Sequence, residues 1–128
     1  MARSKSPNLT EAELRLMQIL WATGPATVTE VARALPRRLS LAYNTVLTTL
    51  RILEQKGYVT HQKRGRAHIF VPLVDRGTAQ RSAVRHLLSR FFDGSPGLLV
   101  VNLLADEKLD ARELKRLKRL IAEEGSGA

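Results

Sequence analysis

The order of its elements predicts a mainly α chain: three helices, a β-hairpin, then a helical arm. Three observations carry that expectation. Two capping boxes and a glycine C-cap frame three helices within the first 57 residues. Two short extended segments around Gly65 then read as a hairpin. Beyond Pro72 the apolar residues return to helical spacing. Helix, short helix, turn, helix and hairpin is the order of a winged helix-turn-helix, with the hairpin as its wing. Residues 1–74 are assigned to that unit and residues 75–128 to a helical dimerisation arm.

Thr10 and Glu13 start the first helix as a capping box, each able to satisfy an orphan N–H near the other. Leu14, Met17, Leu20 and Trp21 form its apolar stripe, and Gly24-Pro25 ends it. Thr27 and Glu30 repeat the device. Val28, Val31, Ala32 and Leu35 follow on one face, and Pro36 stops this short second helix. Residues 37–40 make a turn. The third helix is expected from Leu41 to Lys56, with Val46, Leu50 and Leu53 buried, Tyr43 and Leu47 widening the stripe, and Gly57 closing it. The extended segments are Tyr58 to Gln62 and Ala67 to Val71. Lys63-Arg64-Gly65-Arg66 joins them, with Gly65 supplying a positive φ.

Three more helices are expected. The first runs from Asp75 to Phe92, with Val84, Leu87, Leu88 and Phe91 on one face. Ser95 caps the second and Pro96 occupies its first position. Asp110 and Glu113 cap the third, whose stripe is Leu114, Leu117, Leu120 and Ile121.

Composition narrows the function. The 128 residues carry 21 Lys and Arg against 12 Asp and Glu, a formal charge of +9. Residues 1–72 hold eleven of the cations and four acids, a net +7, and the remainder is close to balanced. A basic front half with a balanced back half suits a polyanion-binding module joined to an interaction module. Cysteine is absent, which excludes disulfides, thiolate metal sites and cysteine nucleophiles. No basic-then-apolar leader opens the sequence, and its most apolar run, Leu98 to Leu104, falls short of a membrane span. A cytoplasmic protein without a membrane partner is expected.

No catalytic signature is present: no Ser-His-Asp set, no phosphate-cradling glycine loop, no close carboxylate pair. Enzyme activity is not expected, nor is a cofactor. His61 and His68 come near each other across the predicted hairpin. Two histidines without a carboxylate at ligand spacing suit packing or phosphate contact better than metal, so no metal site is expected.

The third helix carries the strongest functional signal. Opposite its buried stripe lie Asn44, Thr45, Thr48, Arg51, Ile52 and Gln55. Its first two turns there are short, polar and uncharged. Asn can bond an adenine edge with both amide atoms, and Thr offers a hydroxyl to base edges and a methyl to thymine. The wing tip, Lys63, Arg64 and Arg66, and the turn residues Arg37 and Arg38 suit phosphate oxygens, as does Arg51. A sequence-reading DNA binder is the first expectation. A winged-helix protein-interaction adaptor and a nonspecific architectural DNA binder are the alternatives.

The segments Leu9-Thr10, Glu13-Leu14, Leu20-Trp21, Thr27-Val28-Thr29-Glu30-Val31, Ala42-Tyr43-Asn44-Thr45-Val46-Leu47-Thr48-Thr49-Leu50 and Leu53-Glu54-Gln55-Lys56-Gly57-Tyr58 resemble the BlaI/MecI penicillinase-repressor family. The likeness runs over roughly residues 8 to 122, and extends to the CopY-type copper repressors. It implies a homodimeric repressor of palindromic operators with TACA- and TGTA-like half-sites. It places base contacts on Asn44, Thr45, Thr48 and Thr49. In the antibiotic-responsive branch a sensor protease cuts the arm after an Asn followed by Phe. The matching residue here is Asn102, but Leu103 follows it. The copper branch senses metal through C-terminal cysteines, and this chain has none.

The residues also argue for dimerisation. Leu98, Leu99, Val100, Val101, Leu103 and Leu104 make one short helix apolar almost all round. The last helix pairs its apolar stripe with a basic outer face of Lys115, Arg116, Lys118 and Arg119. A second copy of the chain is the expected cover for both, with folding back on the winged unit as monomer core the alternative.

Overall fold

Capping side chains set the helix starts. In the computed structural model, which describes residues 8–106 and 110–126, Thr10 Oγ1 accepts from Glu13 N while Thr10 N donates to Glu13 Oε1. The helix so started, α1, is Glu11–Thr23. Thr27 and Glu30 repeat the exchange at 3.1 and 2.9 Å and open α2, Val28–Ala34. The expected turn after Pro36 is one turn of 3-10 helix, Arg37–Leu39. It leads to α3, Tyr43–Gln55. Gly57 closes α3 with φ +86°, a left-handed conformation that glycine adopts without a Cβ clash.

The wing strands are Val59–Arg64 and Ala67–Pro72, longer than the sequence suggested. Gly65 and Arg66 alone form the turn between them. Gly65 has φ +61° and Arg66 is not in the left-handed region, the φ pattern of a type II′ hairpin. A further two-residue strand went unread in the sequence. Counting it as β1, Ala26–Thr27, and the wing strands as β2 and β3, the sheet order is β1-β3-β2, antiparallel throughout. Thr27 therefore pairs with Ile69 and caps α2 as well. Three helices with this small sheet make a winged helix-turn-helix.

The core draws on every one of these elements. Leu16, Met17 and Leu20 from α1 meet Val28, Val31 and Leu35, then Val46, Leu50 and Leu53 from α3, Tyr58 just before the wing, and Val59 and Phe70 from the sheet. Two expectations change here. Tyr43 does not widen the buried stripe of α3: it sits in the first turn and is 53% exposed. On α1 the core face is Leu16, Met17 and Leu20, while Leu14 and Trp21 lie half-buried on a second face.

The chain divides into two compact units, Met1–His86 and Leu87–Ala128. The helix α4, Arg76–Phe91, starts in the first unit. Asp75 Oδ1 accepts from Thr78 N, and Ala79 is buried in the first unit's core. Trp21 Nε1 donates to the Val74 carbonyl at 2.8 Å, tying the chain before α4 to α1. In the second unit, α5 is Pro96–Asp106 and α6 is Ala111–Ser126. Ser95 Oγ accepts from Leu98 N and Asp110 Oδ1 from Glu113 N, the two expected caps. No helix among the described residues is long and apolar enough to cross a membrane.

Candidate nucleic-acid interface

Burying Val46, Leu50 and Leu53 leaves α3 only one way to face, so its opposite side is solvated. Asn44, Thr45, Thr48, Arg51, Ile52 and Gln55 are all exposed there. Thr49 differs. It is half-buried, and its hydroxyl donates to the Thr45 carbonyl at 2.8 Å. That bond uses the hydroxyl's only proton and leaves the oxygen solely as an acceptor.

The cations flank this face. Arg37 and Arg38 are exposed on the 3-10 turn, and Lys63, Arg64 and Arg66 at the wing tip. Among the described residues none of these, nor Arg51, is paired with a carboxylate. An unpaired guanidinium keeps its full set of donors for an incoming anion. Arg51 and Arg66 line one groove of about 250 Å3 with Thr29, Tyr43 and His68. The last three were not counted as site residues from the sequence. Tyr43 was hidden by its expected place in the buried stripe of α3. The pairing of Thr27 with Ile69, which sets the start of α2 beside β3, was not readable.

The wing is braced from behind. His61 Nδ1 lies 2.8 Å from both carboxylate oxygens of Glu54 on α3. His61 also stacks on His68, ring centroids 5.0 Å apart. His61 stands opposite Phe70 and His68 opposite Lys63, so the two rings meet diagonally on one face. Among the described residues no group of three or more His, Asp or Glu comes together as a metal site.

In the second unit the residues assigned to a dimer interface stay uncovered. Leu98, Val101, Leu103, Leu117, Leu120 and Ile121 are exposed by 42 to 65%, and Leu99 and Leu114 are half-buried. Asn102 and Leu103 lie inside α5, where Asn102 Nδ2 donates to the Leu98 carbonyl.

A model of the penicillinase repressor family matches residues 9–123. The chain belongs to the penicillinase repressor family. Among its relatives, the penicillinase repressor of Bacillus licheniformis is 28% identical over 119 residues, 93% of each chain. Transcriptional regulator BlaI of Mycobacterium tuberculosis is 33% identical over 126 residues, 97% of this chain and 90% of its own. The solution structure of the DNA-binding domain of the repressor BlaI superposes with a TM-score of 0.51 at 29% identity, over 59% of this chain and 93% of that domain. The penicillinase repressor family consists of transcriptional repressors rather than enzymes, and this chain has the winged fold of its DNA-binding domain.

Proposed function

We propose that this member of the family represses transcription as a cytoplasmic homodimer, each protomer reading one half of a palindromic operator. One observation supports it above the others: the exposed face of α3 is uncharged in its first two turns and flanked by unpaired cations. A face meant only for solvent gains nothing from threonine, a poor helix former. A face meant to enter the major groove needs short side chains with donors and acceptors. Asn44, Thr45 and Thr48 are the base readers in this reading, with Thr49 as an acceptor behind them. Arg37, Arg38, Arg51, Lys63, Arg64 and Arg66 hold the phosphates.

Residues 1–74 serve as the DNA-binding domain and residues 75–128 as the dimerisation domain, with the first turns of α4 packed on the former. Relief by a sensor protease would require α5 to unwind, because the Asn102–Leu103 peptide lies within that helix.

Fluorescence anisotropy tests the proposal. A duplex with TACA and TGTA half-sites is compared with a scrambled duplex at about 150 mM salt, where the screening length is about 8 Å. The expected result is a preference of about a thousandfold. Affinity should fall with salt at a log–log slope of about −0.9 per phosphate contacted. Equal affinity for both duplexes would point to an architectural binder, and no binding at low salt to a protein adaptor. Either outcome overturns the proposal.

A further inference from the structure

The second apolar face of α1 borders a pocket of about 320 Å3 whose described lining includes no residue of α3 or of the wing. Leu14, Gln18 and Trp21 form its α1 side, and Arg76, Ala79, Gln80 and Ala83 its α4 side. The space exists because α4 presents two alanines there instead of large side chains. Trp21 is held in place by its bond to the Val74 carbonyl. Its indole N–H is thereby used, and the ring offers its face. The Arg76 guanidinium lies over that face, 5.6 Å from the ring centroid.

The charge of the lining is one-sided. Among the described residues Arg76 is its one formally charged lining residue, and no acid lines it. The nearest carboxylate in sequence, Asp75, accepts from Thr78 N as a helix cap. The first seven residues of the chain carry two cations and no acid, so their charge does not complement Arg76. Apolar walls, one aromatic plane and a single guanidinium with no carboxylate partner among the described residues are complementary to a flat apolar body bearing one anionic group.

We propose that this pocket binds a small aromatic carboxylate, its ring against Leu14, Trp21 and the alanines and its carboxylate on Arg76. The site is separate from the DNA-reading face and does not depend on it.

Trp21 is the only tryptophan in the chain, so a nitrogen–proton correlation spectrum carries a single indole N–H signal, from inside the site. Benzoate titrated into the full chain is expected to shift that signal saturably, with a Kd of about 1 mM or tighter for so small a ligand. Benzyl alcohol, of similar shape without charge, should bind at least about tenfold more weakly. Arg76→Gln should bring benzoate down to the level of the alcohol. Ala83→Phe fills the pocket from an exposed position of α4 and should abolish both shifts, with the rest of the spectrum unchanged away from the pocket. A shift that grows linearly without saturation overturns the proposal. So does equal binding of benzoate and benzyl alcohol, or a benzoate shift that survives Ala83→Phe.

Discussion

Lys56 reaches from the end of α3 to α1 and donates from Nζ to Glu13 Oε1 at 2.7 Å and to the Asn8 carbonyl at 3.0 Å. Both side chains of the pair are nearly buried, 10% and 6% exposed. Sequence reading found Glu13 only as a capping residue, because capping is local and a partner 43 positions away leaves no periodic trace. Removing one partner of a buried pair leaves the other charge desolvated. Lys56→Met is expected to cost about 3 kcal/mol of stability, read by urea denaturation. Thr48 and Arg64 make the complementary residue-scale case. Thr48→Ala should relax base preference by about 1–3 kcal/mol at one operator position. Arg64→Ala should weaken specific and scrambled duplexes alike and reduce the salt slope by about 1. Competition binding on a set of singly altered operators separates the two. An unchanged preference in Thr48→Ala would sink the assignment of that residue as a base reader.

At the scale of elements, what was legible was what local chemistry controls. The Thr10–Glu13, Thr27–Glu30, Ser95 and Asp110 caps were all readable, because each is a side-chain bond within three residues. The buried stripe of α3 was readable too, because that helix packs on one side. The stripe of α1 was legible in part: Met17 and Leu20 lie in the core and Trp21 packs against it, while Leu14 faces a second side and the buried Leu16 fell outside the spacing. Strand β1 was unreadable, since two residues carry no alternation and Thr27 already had a role as a cap. The cap has a pH signature. The Thr27 backbone N–H and hydroxyl, in that order, hold the Glu30 carboxyl below its ordinary value of 4.5. A carboxylate whose folded pKa is depressed adds stability that is complete above the ordinary value. That stability is lost as pH falls through the folded value. Thr27→Ala removes the hydroxyl half of the exchange. The variant should melt below the parent at neutral pH, and the gap should narrow as pH drops beneath 4.5. Parallel melting curves across that range would contradict this account of the cap.

For the whole molecule, the contrast between the two units decides the expected assembly. The first encloses a core from three helices and the sheet, with nine side chains fully buried among the described residues. In the second, the apolar residues of α5 and α6 are exposed or half-buried, including Leu98, Val101, Leu117, Leu120 and Ile121. Exposed apolar side chains along two successive helices favour a covering partner, since water contact there forfeits about 25 cal/mol for each Å2 left uncovered. In the proposed dimer a two-fold partner would cover the same patch on both copies and present one α3 helix to each half-site. An arm of this kind would raise DNA affinity through dimerisation alone, because the second half-site would be bound at a high effective concentration. Leu117→Lys with Ile121→Lys places four cations at the interface of a dimer. Sedimentation equilibrium should show monomer where the parent is dimer. Affinity for the full operator should fall by about a hundredfold or more, toward that for a single half-site, which should itself be nearly unchanged. A variant that stays dimeric would place the interface elsewhere in the arm. A monomer that kept full operator affinity would separate dimerisation from operator reading.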